Sequence, residues 1–239
     1  LAEALEAKLA ASGDDNEQAR AGRRLAELCD GPIHDRRRAE LALRAWSTAR
    51  PEDPEPLRRL ASMLAEGGDD TARVAVLDAL AAVEPDPSLA VAATIHAADV
   101  AAHGLGDVQG AWDRLVPLMR RGERRATARL REIARKYERS ARLAEEVVAL
   151  AQQVPTAAEQ KVLWCEAAAI YEGDVADRTQ ALEAALRALA LDLDDATLLD
   201  EIDRLAAKLA AWPRLGQVYD TLLRRARDDA AKVRLLVRH

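Results

Sequence analysis

The sequence predicts an all-α protein built as a stack of antiparallel helix pairs, and three observations carry that expectation. The 239 residues include 53 Ala and 34 Leu, strong helix formers, while aromatic residues make up 3% and Phe is absent. Prolines mark a ruler: Pro51 and Pro85 lie 34 positions apart, and Pro155 follows 70 positions later. Proline lacks the amide N–H and clashes with the preceding turn, so each marks a helix stop and a restart. Between these breaks apolar residues recur at helical spacing. About fourteen helices and no strand follow from this pattern.

Taken in order, residues 1–15 form a partial unit, in which Leu1 to Ala11 reads as a second helix without its partner. Complete units are expected at 16–51, 52–85, 86–121, 122–155, 156–193 and 194–228, with a further partial one at 229–239. Asp53-Pro54 and Asp86-Pro87 each place a capping acid before a proline at the first helical position. Thr156-Ala157-Ala158-Glu159 fits a capping box. Gly67-Gly68-Asp69-Asp70, Gly104-Leu105-Gly106-Asp107 and Gly173-Asp174 break units 52–85, 86–121 and 156–193 into two helices, and unit 122–155 turns at Ser140. Core faces are expected at Leu57, Leu60, Ala61 and Leu64, at Val74, Leu77 and Leu80, at Leu130, Ile133, Ala134 and Tyr137, and at Leu198, Ile202, Leu205 and Leu209. Capping repeats of an array carry polar outer faces, whereas Val233, Leu235, Leu236 and Val237 are apolar. One domain cut from a longer array, or an end covered by another chain, is the expectation.

The segment Trp164-Cys165-Glu166-Ala167-Ala168-Ala169-Ile170-Tyr171 has the W-x2-L-G-x2-Y spacing of the tetratricopeptide repeat, with Ala167-Ala168 in the Leu-Gly slot. Leu57, Leu60, Ala61 and Leu64 fill the same four slots of an earlier unit. Ala39, Leu43, Trp46 and Pro51 match the second helix and closing proline, as Leu215, Tyr219 and Leu222 match a later second helix. Ala211-Trp212-Pro213 stands at the turn. The chain therefore resembles tetratricopeptide-repeat proteins along its length. The resemblance implies a right-handed α-α solenoid whose concave groove, lined by first helices, binds a segment of a partner protein.

Bulk properties narrow the function. No apolar run reaches the roughly 20 residues needed to span a bilayer. The start, Leu1-Ala2-Glu3-Ala4, has no signal pattern, which favours a cytoplasmic location and leaves the compartment open. Thirty Arg against five Lys point to a GC-rich, bacterial genome, and the net charge of −6 argues against a general nucleic-acid binder. Cys29 and Cys165 sit on apolar helical stretches and read as small buried hydrophobes. His96, Asp99 and His103 share one helix face, but no further ligand is placed near them in sequence, so no metal is expected. Phosphate loops and nucleophile elbows are absent, so neither cofactor nor catalytic site is expected. Trp46, Trp112, Trp164 and Trp212 all read as packing between helices.

Charge patterning supplies the candidate surface. Residues 120–142 hold ten bases against Glu123, Glu132 and Glu138, a net of +7. Arg121, Arg125 and Arg129 are spaced to climb one face of a first helix over 122–139, which also carries Arg124, Arg131 and Arg135. Six acids, Asp192, Asp194, Asp195, Asp200, Glu201 and Asp203, crowd twelve positions without a base. The expectation is a scaffold whose arginines capture an acidic protein or peptide partner, arginine's fork being suited to carboxylates. The same field would support self-association. The alternatives are a purely structural segment of a larger protein, a nucleic-acid-binding repeat, or a subunit whose catalytic domain lies elsewhere.

Overall fold

Aspartate starts most of these helices. The computed structural model describes residues 1–11, 13–31 and 33–225. They form α1 (Ala2–Ala11), α2 (Asp15–Asp30), α3 (Arg36–Ala49), α4 (Pro54–Gly67), α5 (Asp70–Val83), α6 (Pro87–His103) and α7 (Val108–Arg120). Then come α8 (Arg124–Lys136), α9 (Ser140–Gln153), α10 (Ala157–Ile170), α11 (Arg178–Leu191), α12 (Ala196–Leu209) and α13 (Trp212–Arg225). The expected unit 229–239 lies outside the described residues. Eight helices open on an Asp N-cap whose carboxylate accepts a first-turn N–H: Asp14, Asp35, Asp53, Asp69, Asp86, Asp107, Asp177 and Asp195. Each satisfies an amide that the helix itself leaves unpaired. Many acids of the chain are thereby structural.

Two compact units divide the molecule, Leu1–Ile133 and a second that begins at Ala134, so the division falls inside α8. In the first unit each of α1 to α6 packs against the next helix in sequence. In the second the same holds from α9 to α13. Turns of a few residues make successive helices antiparallel, and every element of the described residues is helical.

The periodic faces form the core. Leu57, Leu60, Ala61 and Leu64 of α4 are buried, as are Val74, Leu77 and Leu80 of α5 and Leu198, Ile202 and Leu205 of α12. Each fully buried Leu or Ile contributes about 1.5–3 kcal/mol. Close approach is concentrated between α2 and α3. Gly22 of α2 lies against α3, where a Cβ would stand 2.9 Å from the Ala42 carbonyl oxygen. Trp46 of α3 is buried beside it, with the guanidinium groups of Arg23 and Arg59 each 5.7 Å from its ring centre.

Several local expectations are corrected. Ser140 is the first residue of α9 and is buried; the turn before it is Tyr137 to Arg139, with Glu138 in the left-handed region at φ 55°. At Gly173-Asp174 the chain does not simply turn. Residues Tyr171–Val175 continue α10 as a π-helical segment, closed by Ala176 at φ 62°. At Thr156 only the forward half of a capping box forms, its Oγ accepting from Glu159 N–H at 3.2 Å. Its hydroxyl donates to the Glu159 carboxylate at 2.7 Å. Trp212 opens α13 and is 58% exposed, so it does not pack between helices as Trp46, Trp112 and Trp164 do.

Candidate interaction surface

The basic cluster is shorter and less open than its sequence suggests. α8 begins at Arg124, and Arg121 is the cap residue that closes α7. The chain turns at Gly122, φ 81°, so the ladder of Arg121, Arg125 and Arg129 is broken at its first rung. Three remaining arginines meet acids or carbonyls that sequence proximity did not reveal. Arg125 bonds the Ser88 carbonyl of α6 at 3.1 Å and approaches Glu123 at 3.5 Å. Arg129 is half-buried and pairs with both Asp99 of α6 and Glu132. In the second unit Arg135 bonds Asp174 of the π-helical segment at 2.8 Å, and that carboxylate is almost fully buried.

Part of the acidic cluster is likewise paired. Lys161 of α10 lies 2.6 Å from both Asp192 and Asp195, which hold its ammonium pKa well above the usual lysine range. Arg204 pairs with Glu201, and the Tyr219 hydroxyl donates to Asp203 at 2.8 Å. A window of neighbouring residues counts charges along the chain, whereas the fold pairs charges about one repeat apart. Arg114 bonds Asp78 at 2.6 Å, and Arg204 and Arg214 reach Glu172 and Glu183. Exposed pairs of this kind contribute only about 0–1 kcal/mol each, so they add little to stability.

One of these knots has a pH signature. The π-helical turn presents Glu172 to Arg204 and Lys208 of α12, and hydrogen bonding to Arg204 pulls its carboxyl pKa from 4.5 down to about 2. A folded-state pKa below the unfolded value stabilises the fold above the unfolded pKa and loses that contribution as pH falls. The unfolding midpoint of the protein should therefore drop between pH 5 and 2 more steeply than that of Glu172→Gln. Equal slopes in denaturant titrations across this range would show that the knot does not couple to folding.

Chemistry of other kinds finds little footing. His96 sits with Nε2 2.5 Å from an Arg73 guanidinium nitrogen, and burial together with that cation pushes its pKa down. With Asp99 held by Arg129, two of the three side chains considered for a metal have other partners. Among the described residues no group of three or more His, Cys, Asp or Glu could hold a metal ion. Burial raises the pKa of both thiols, Cys29 and Cys165, which keeps them protonated and poorly nucleophilic. No helix among the described residues is long and apolar enough to cross a membrane.

What the first unit does offer is a groove between α6 and α8, each the first helix of its pair. It is shallow and open to solvent, with a volume of about 590 Å³. Ala92, Ile95 and Ala128 give it a small, apolar floor, and Asp99, Arg125, Arg129 and Glu132 stand around them. Sequence reading located the α8 side of this groove. It put His96 and Asp99 of α6 on one helix face but not beside α8, because only the pairing of helices in space sets Ala92 and Asp99 opposite Ala128 and Arg129.

No protein-family model and no curated protein matches this sequence. Among solved structures, the chain is similar to MamA (residues 41 to the end) from Desulfovibrio magneticus RS-1, with 19% identity and a TM-score of 0.31 over 89% of this chain and 98% of that one. A MamA RS-1 ArsTM double mutant gives 19% and 0.32 over 87% and 93%. The Cut9-Hcn1 hetero-tetramer of APC/C gives 13% and 0.33, over 96% of this chain but 47% of that one. By its own helices, which pack in sequence order within each unit and bury Leu57, Leu60, Leu64, Trp46 and Trp164, the chain is an all-α array of antiparallel helix pairs.

Proposed function

We propose that this protein is a protein-interaction scaffold that binds a segment of a partner in the groove between α6 and α8. The observation that carries the reading is the groove itself: about 590 Å³, floored by small apolar side chains and ringed by charges that its own helices hold in place. Such a surface suits recognition of a peptide by apolar anchors and charge-assisted hydrogen bonds. Arg124, Arg125 and Arg129 are the proposed contacts on α8, and Arg131 and Arg135 extend the basic character of that helix. Arg121, at the end of α7, is a flanking contact in this proposal.

Ala128 gives the cleanest test, because it is exposed on the groove floor and burial is not disturbed by enlarging it. Peptides selected from a displayed random library against the native protein should lose binding to Ala128→Trp by tenfold or more. The far-ultraviolet circular dichroism and the unfolding midpoint should stay unchanged. Selection of no peptide, or equal binding of selected peptides to both proteins, would overturn the groove as the site.

A further inference from the structure

Resting on that reading, we infer that the partner segment is bipolar, with an acid and a base flanking an apolar side chain, rather than acidic. The argument is charge accounting within the groove. Its lining holds two arginines, Arg125 and Arg129, two carboxylates, Asp99 and Glu132, and His96, whose ring meets the Arg73 guanidinium and is kept neutral by burial and that cation. They are not distributed evenly. Arg129 lies between both carboxylates and is bonded to each, so that end of the groove carries two acids for one base. Arg125 stands at the other end, 52% exposed, where its side chain bonds the neutral Ser88 carbonyl and only grazes Glu123. Glu132 is 58% exposed and retains acceptor capacity beyond its bond to Arg129.

The helix axes reinforce this. Ser88 meets Arg125 at the start of α6 and α8, and Asp99 meets Arg129 farther along, so the two helices run side by side in the same direction. Their positive ends lie together at the Arg125 end, which favours a carboxylate there. The caps Asp86 and Glu123, bonded to backbone N–H groups, offset part of that field, and Arg124 beside Arg125 adds to it. A partner with two acids would set one against Asp99 and Glu132, and like charges brought together cost affinity. A partner with two bases would meet the same conflict at Arg125.

Dimensions complete the match. Glu132 lies seven positions after Arg125, about 10 Å of helix at ~1.5 Å per residue. An extended peptide covers that distance in about three residues at ~3.3 Å each. Between them, one aliphatic side chain reaches the floor of Ala92, Ile95 and Ala128.

Three fluorescein-labelled octapeptides test this on the full chain, with central sequences Asp-Leu-Ser-Lys, Asp-Leu-Ser-Asp and Lys-Leu-Ser-Lys. The first should bind at least tenfold more tightly than either other, and weaken at raised salt. Arg125→Glu should reduce its binding tenfold and improve that of the Lys-Leu-Ser-Lys peptide, while circular dichroism stays unchanged. Equal or tighter binding of the Asp-Leu-Ser-Asp peptide, or no response of this order to Arg125→Glu, would overturn the bipolar assignment. If none of the three binds while library peptides still depend on Ala128, the bipolar assignment fails and the groove stands. If the library yields nothing either, both fail.

Discussion

Gly22→Val should unfold or severely destabilise the first unit. Gly22 is buried where α2 and α3 touch, and its missing side chain is the reason they can. A Cβ placed there stands 2.9 Å from the Ala42 carbonyl oxygen and 3.1 Å from the Trp46 Cβ and backbone nitrogen. Two of those three atoms are backbone, so no rotamer change relieves the contact. The helices must separate, and Ala39, Ala42 and Leu43, almost fully buried on α3, lose their packing as they do. Overpacking of this kind costs about 1–3 kcal/mol for the first methylenes, a large part of a marginal stability. Thermal unfolding should show the loss graded from Gly22→Ala to Gly22→Val. An unchanged midpoint for Gly22→Ala would mean that the approach of α2 and α3 is looser than this. In an exposed helical position the same Gly→Ala change stabilises, so even the sign is diagnostic.

Trp46→Ala should cost about 3–5 kcal/mol, the range for removing a large aromatic from a core. The ring is 4% exposed and carries Arg23 of α2 on one approach and Arg59 of α4 on another. Its removal leaves a cavity where three helices meet and deprives two guanidinium groups of a stacking partner. Trp212→Ala should stay within about 0.5 kcal/mol, since that ring is largely in water. Denaturant titrations of the two variants compare them directly. A similar loss in both would refute the distinction drawn between a repeat-core and a surface tryptophan.

That pair of residues shows where sequence was a sufficient guide and where it was not. Helix pairing was legible because proline, glycine and capping residues act locally, and because the apolar period is that of a helix. Leu57, Leu60, Ala61 and Leu64 are buried as their spacing implies. Trp212 looked equivalent to Trp46 by composition, yet exposure depends on whether another helix covers the ring, which no local pattern records. The Asp caps also escaped notice at six of the eight helices, because an Asp without a following proline or a Glu three residues on gives a weaker signal. The candidate site was half legible. α8 announces itself by its arginines, but their partners Asp99 and Ser88 come from α6, and Asp174 from a π-helical turn. A linear charge count therefore overstated how strongly the surface would favour an acidic ligand.

The long-range arginine pairs have one more consequence. Arg114 with Asp78, Arg129 with Asp99, Arg204 with Glu172 and Arg214 with Glu183 are separated by 36, 30, 32 and 31 positions, with the base on the later element, while Arg36 with Glu66, Arg58 with Glu84 and Arg135 with Asp174 run the other way. A gene segment duplicated at that spacing brings along both halves of the seam. Each new copy brings cations and anions for the copies on either side of it. Arrays of this composition can grow or shrink by recombination without inventing fresh junctions, so variation in repeat number among kin would come more readily than variation in the joints.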